Sequence, residues 1–187
     1  MKKLSKTAII AITIVMLTAA AFGAGLWLLL KENDPYRVLF EKNQIRFAVG
    51  GEEIGVHSLD EFFEKVELKR FNAIYKPSRK EPIHREYEGF ELKDVLAAMG
   101  ADVSRVTAVT LRAYDGMTTG VFPLSNLYKE GELFIAVKYG GKAFVRGIKP
   151  SGSTYPEEDG GTYVFIKASD EFSQGRLKSV VEIRVEY

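Results

Sequence analysis

Two groups of cations stand out as residues able to bind a charged ligand. Lys76, Arg79, Lys80, His84 and Arg85 crowd into KPSRKEPIHRE, and Lys142, Arg146 and Lys149 stand beside Gly147 and the run Ser151-Gly152-Ser153. Either group attracts an anion through side-chain charge, and the small residues of the second add backbone N–H groups that can point at oxygens. Glu157-Glu158-Asp159 follows in the second loop and offsets its charge. Those three adjacent acids lack the alternating ligand spacing of a calcium loop. His57 and His84 lie far apart, with no carboxylate spacing around either that recommends zinc, so no metal site is expected.

Composition removes several chemistries. The 187 residues include no cysteine, which excludes disulfides, thiolate metal sites and a cysteine nucleophile. Lys and Arg total 26 against 25 Asp and Glu, a net charge of +1, and this balance provides no global field for nucleic acid. No serine sits in a Gly-x-Ser-x-Gly elbow or a Ser-x-x-Lys signature, so no catalytic nucleophile is marked.

The N-terminus points to a membrane. Residues 1–6 (MKKLSK) carry three lysines, and residues 7–30 contain no charge. At about 1.5 Å per residue, such a helix is long enough to cross a hydrocarbon core of roughly 30 Å. Cleavage after Ala21-Phe22-Gly23, as in a signal peptide, would leave the apolar tail AGLWLLL exposed, which favours an uncleaved anchor. Lys2, Lys3 and Lys6 outweigh Lys31, so the N-terminus is expected in the cytoplasm and the domain outside it. Residues 31–43, opening with KENDPYR, read as a stalk, and residues 44–187 as one extracytoplasmic domain.

Periodicity sets the class of that domain. IRFAVGGEEIGV predicts a hairpin around Gly50-Gly51. Ser58 and Glu61 match a capping box opening a short helix with Leu59, Phe62, Phe63 and Val66 on one face. Residues 67–75 alternate as a strand, and residues 76–86 read as a loop. YEGFELKDVLAAMG predicts a turn at Gly89 and then a helix ended by Gly100. Residues 106–113, 117–122, 133–139, 162–167 and 180–187 are strand-like, with Asp115-Gly116 expected as a type I′ turn. The expected class is α+β, mostly β in a mixed or antiparallel sheet, with short helices.

The order of these pieces carries a resemblance. Tyr87-Glu88-Gly89-Phe90-Glu91-Leu92 precedes a short helix, then come Asp115-Gly116-Met117, Leu133-Phe134-Ile135-Ala136-Val137 before a glycine turn, and the ending Arg176-Leu177-Lys178-Ser179-Val180-Val181-Glu182-Ile183. This order resembles the oxidoreductase molybdopterin-binding domain, the fold of sulfite oxidases and their bacterial relatives, over residues 44–187. In catalytic members a cysteine ahead of the aromatic-x-Gly motif ligates molybdenum, whereas the matching stretch here, FNAIYKPS, has none. Tyr75 and Ser78 hold their protons far more tightly than a thiol and do not replace it. The family's Asn-Gly or Asp-Gly turn is Gly140-Gly141-Lys142 here, and AFVRGIKPSGSTYPEEDGG lacks the Gly-x-Pro-x-Arg arrangement.

The resemblance implies a cleft with Arg112 and Asp115 at its edge, and Arg85, Arg112, Asp115, Arg146 and Lys149 are the residues expected to contact a ligand. The expected function is a non-catalytic ligand-binding or accessory module without a cofactor. The alternatives are a molybdopterin-dependent oxidoreductase lacking thiolate ligation and a structural interaction domain of the cell envelope. Expected partners are membrane lipid through the anchor, and a small anionic ligand or an envelope protein. Asp170 to Arg176 resembles a Phe-Ser-Gln segment of short relatives, with Phe172 expected to anchor the loop to the core.

Overall fold

The computed structural model describes residues 15, 16, 18, 20, 22, 23, 34–76, 81–119, 122–144, 161–173 and 175–187. It contains two compact units, Met1–Val38 and Leu39–Tyr187. Most of the expected anchor lies outside the described residues, and among those described no helix is long and apolar enough to cross a membrane. The expected stalk carries a short helix, α1 (Pro35–Glu41), because Pro35 sits where no N–H is needed and the Asp34 carboxylate accepts from Tyr36 N at 3.0 Å.

The second unit is α+β, as its periodicities predict, and its strands form two sheets. β1 (Gln44–Val49) and β2 (Glu52–Ser58) make the expected hairpin, with Gly50 and Gly51 both at positive φ in the turn. The capping box forms as read: Glu61 N donates to Ser58 Oγ, Ser58 N to Glu61 Oε1, and α2 (Leu59–Lys65) follows. Phe62 is fully buried, but Phe63 is exposed at the rim with its ring edge-on to Phe90. β3 (Lys69–Tyr75) alternates as predicted, burying Phe71 and Ala73.

The segment read as a loop with a glycine turn is instead a nine-residue strand, β4 (Ile83–Glu91), which includes His84, Arg85 and Gly89. Gly89 lies at a register shift against the neighbouring strand, where a Cβ would stand 2.6 Å from Ile135 O. Glycine is there because two backbones meet, not because the chain turns. α3 (Leu92–Ala98) then buries Leu92, Val95 and Leu96, and ends as expected in a Schellman motif. Gly100 (φ +95°) donates to Ala97 O, and Ala101 donates to Leu96 O.

A 3-10 turn (Val103–Arg105) leads to β5 (Ala108–Ala113), and α4 (Leu124–Tyr128) precedes β6 (Leu133–Tyr139). β7 (Lys142–Ala143), β8 (Val164–Lys167), β9 (Leu177–Lys178) and β10 (Val180–Glu186) complete the chain. One sheet runs β2-β1-β10-β5, with β1 and β10 parallel and the other pairs antiparallel. The second runs β3-β4-β6-β8-β9, is antiparallel throughout, and has β7 paired to β6. Ser179 alone, at φ +54°, separates β9 of one sheet from β10 of the other.

The main core gathers Phe47, Phe62, Phe90, Leu96, Leu111 and Ile183 with one face of β6, namely Leu133, Ile135 and Val137. The other face of β6, Phe134 and Ala136, joins Phe71, Ala73, Tyr87, Val164 and Ile166 in a second cluster. A strand buried on both faces reads as an unbroken apolar run, which is why LFIAV shows no alternation.

Candidate functional site

The Asp115-Gly116 hairpin is built differently from its expected form. Gly116 alone takes positive φ (+90°); Asp115 does not, which rules out type I′. Gly116 N donates to Ala113 O at 3.0 Å and Ala113 N to Met117 O at 2.8 Å, so Tyr114 and Asp115 are the central residues and Gly116 is the left-handed position that closes a three-residue loop. Asp115 Oδ1 accepts from Met117 N at 3.0 Å and caps the turn. Among the described residues, the returning arm, expected as a strand over 117–122, makes a single bridge, Thr118 to Arg112. Leu111 N donates to Thr119 Oγ1, and Thr119 N to Leu111 O.

Behind this arm is a cleft of about 210 Å³. Its apolar floor comes from Leu133, Phe165 and Leu177, which belong to the main core, and from Phe122, whose ring stacks on Phe165 at 5.6 Å. Met117, Thr118, Thr119, Lys167, Gly175 and Arg176 complete its wall. The site is therefore greasy below and polar at the rim, with two cations.

Arg176 is the more tightly positioned cation. Nη1 donates to Tyr87 Oη at 2.7 Å and Nη2 to Ile74 O at 2.9 Å, while the guanidinium lies 4.8 Å from the Tyr87 ring centre and 5.4 Å from that of Tyr75. Its Nε is buried, with no acceptor among the described residues. Lys167 ends β8 and lies 3.8 Å from Oε1 of the buried Glu132. Burial alone would push the Glu132 carboxyl up, but bonds from Ser169 Oγ and Lys129 Nζ, with the charges of Lys129 and Lys167, outweigh it and hold the group below the usual carboxylate range.

The loop from Asp170 carries Arg176 to the cleft. The Asp170 carboxylate accepts from Phe172 N at 3.0 Å and Gly175 N at 2.7 Å. Phe172 does not anchor the loop in the core: it is 54% exposed, with Lys76 Nζ 5.0 Å from its ring centre. Lys76 N donates to Ser173 Oγ at 2.9 Å, which ties the loop to the end of β3 instead.

The residues expected from sequence fall in separate places. Arg85 is buried on the second sheet, its guanidinium 3.9 Å from the Tyr75 ring centre and 4.4 Å from that of Tyr139. Arg112 stands on β5 of the first sheet, in backbone register with Glu182, whose carboxylate accepts from Arg46 Nε at 2.9 Å. Asp115 is exposed at the hairpin tip. None of these three lines the cleft, although the hairpin that carries Arg112 and Asp115 supplies part of its wall. Arg146 and Lys149 lie outside the described residues. Thr118, Thr119, Lys167 and Arg176 were not foreseen; the signal available was position, since all four sit at strand ends or in the returning hairpin arm.

The other histidine is a packed structural group. His57 Nδ1 is 2.8 Å from Glu61 Oε2, and its ring lies edge-on to Phe47 over Gly55, where a Cβ would meet Nε2 at 2.7 Å.

A molybdenum centre calls for soft donors. The cleft offers hydroxyls and cations, and among the described residues no three His, Asp or Glu side chains gather to hold a metal. The cleft residues do not fit that centre. No family model and no curated protein matches the chain.

Proposed function

We propose that this protein is a membrane-anchored, extracytoplasmic binding module. In this reading it is a molybdopterin-oxidoreductase-like scaffold that has given up metal chemistry and holds a small anion in the cleft behind the Asp115-Gly116 hairpin. The observation that carries the proposal is the presence of both Lys167 and Arg176, with the hydroxyls of Thr118 and Thr119, on the wall of a cleft of about 210 Å³ with an apolar floor. Low-polarity walls strengthen the attraction of such cations for an anion relative to bulk water. The scaffold reading is supported by the order of motifs from Tyr87 to Ile183, and the anchor reading by the uncharged residues 7–30 behind three lysines.

Isothermal titration of the full chain in mild detergent, with acetate, benzoate and inorganic phosphate at low salt, tests the proposal. Saturable one-to-one binding of at least one anion, weakened about tenfold or more by Lys167→Met, is the expected result. Failure of every anion to bind at a Kd of about 1 mM or tighter (roughly −4 kcal/mol) rejects it.

A further inference from the structure

Resting on the anion-cleft reading, we infer that Phe40 is a positioning residue of the site: its ring, stacked on Tyr114, holds the hairpin arm that forms one wall of the cleft. The end of the segment expected as a stalk thereby belongs to the frame of the site. Three observations carry this assignment. The first is how lightly the arm is held. Met117, Thr118 and Thr119 line the cleft, yet none of them belongs to either apolar cluster, and Met117 is 63% exposed. Among the described residues, the arm joins β5 through the Ala113–Met117 and Leu111–Thr119 hydrogen bonds and the bridge of Thr118 to Arg112. A two-stranded ribbon of this kind is marginal without a packed partner, so contacts at the hairpin set where the arm lies.

The second observation is the position of Tyr114. Its ring stacks on Phe40, with centres 4.7 Å apart and planes 15° from parallel. Its backbone N–H donates to Ser179 O at 2.9 Å, and Ser179 lies two residues beyond Leu177 of the cleft floor. Tyr114 therefore joins the hairpin arm to the segment 175–177 on the other side of the cleft, and Phe40 packs on that junction.

The third is that Phe40 is itself held in place. Asn43 N donates to Phe40 O at 3.3 Å, and Asn43, at φ +53°, accepts at its own carbonyl from Tyr163 Oη at 2.9 Å. Thr162 Oγ1 donates to Asn43 Oδ1. Tyr163 is buried in the main core and directly precedes β8, the strand that carries Phe165 and Lys167 to the cleft. The ring is thus presented to Tyr114 from a fixed base, which a loosely tethered stalk would not provide.

The test compares Phe40→Ala, Phe40→Leu and Phe40→Tyr with wild type, as full chains in mild detergent. Hydrogen-exchange mass spectrometry follows residues 111–119, with residues 83–91 of β4 as the control, and isothermal titration follows acetate, benzoate and inorganic phosphate. Loss of the ring in the alanine and leucine variants should speed exchange of 111–119 and weaken anion binding by about two- to tenfold each, the equivalent of a stacked pair's roughly 0.5–1.5 kcal/mol. Exchange of 83–91 should stay at the wild-type rate, and Phe40→Tyr, which keeps the ring, should match wild type in both readouts. Arm exchange unchanged in Phe40→Ala overturns the inference, as does an equal rise in 83–91, the mark of general destabilisation. A looser arm with unaltered affinity for an anion that the wild type binds overturns the role in the site. A looser arm in a protein that binds none of the three anions rejects the anion cleft while leaving the hold of Phe40 on the arm standing.

Discussion

Replacing Gly89 by alanine tests the geometry that places the site. A Cβ at this position would lie 2.6 Å from Ile135 O, 2.7 Å from Ala136 Cα and 3.0 Å from Ala136 N, all backbone atoms of β6. No rotamer change relieves such contacts, and β6 is itself held by β4 on one side and β8 on the other, so β4 must move away. Overpacking typically costs about 1–3 kcal/mol, and a backbone obstacle places this case at the upper end, about 3 kcal/mol. For a domain of this size each kcal/mol lowers Tm by roughly 2–4 °C, which gives a loss of roughly 6–12 °C by calorimetry. Gly116→Ala is the internal control: its φ is +90°, but the nearest atom to a Cβ is Arg112 Nη2 at 3.9 Å. It should cost only the left-handed backbone penalty of about 1–2 kcal/mol. Because Tyr87 is two residues from Gly89 and holds Arg176, Gly89→Ala should also weaken anion binding. A Gly89→Ala protein within about 0.5 kcal/mol of wild type, the range of ordinary surface substitutions, would refute the close approach of β4 and β6.

Three further outcomes follow from named contacts. Tyr87→Phe removes the acceptor of Arg176 Nη1, and isothermal titration should show anion affinity reduced by about 1 kcal/mol, or roughly fivefold, the typical worth of one hydrogen bond. Glu132→Gln should destabilise the domain by about 1–3 kcal/mol at pH 7, because Ser169 and Lys129 lose a charged acceptor. The carboxyl is held below its usual range, so its contribution is fully present above the unfolded value and is lost as pH falls through the folded one. Urea denaturation should therefore show the wild-type advantage shrinking in acid. Since the chain has no cysteine, Glu81→Cys at an exposed position provides a clean topology probe. Labelling by a membrane-impermeant maleimide in intact cells is expected, and labelling only after permeabilisation would reverse the assigned orientation.

Local signals in the sequence were the most legible. The Ser58/Glu61 capping box, the Gly50-Gly51 hairpin and the Gly100 helix stop each depend on side chains or φ preferences within a few residues, and each forms as read. Features that depend on a distant partner were not legible. Gly89 looks like a turn residue until β6 arrives against it, and Arg85 looks like a loop cation until Tyr75 and Tyr139 sandwich it. Phe172 reads as an anchor because of its apolarity, yet Ser173 and Asp170 hold that loop through polar bonds. The cleft lies beside the Asp115-Gly116 hairpin, but its lining does not include Arg85, Arg112 or Asp115, and Arg146 and Lys149 lie outside the described residues. Its cations come from the end of β8 and the approach to β9, which only the second sheet brings beside Thr118 and Thr119.

The most direct test of a metal-free anion module is the content of the protein as it is made. The full chain, expressed in a host that makes molybdopterin, would be analysed for metals, and for organic ligands released on denaturation by mass spectrometry. The account predicts a small organic acid or an empty site, with neither molybdenum nor pterin. Molybdenum and pterin at one per chain would contradict it and make this protein an oxidoreductase with unusual ligation.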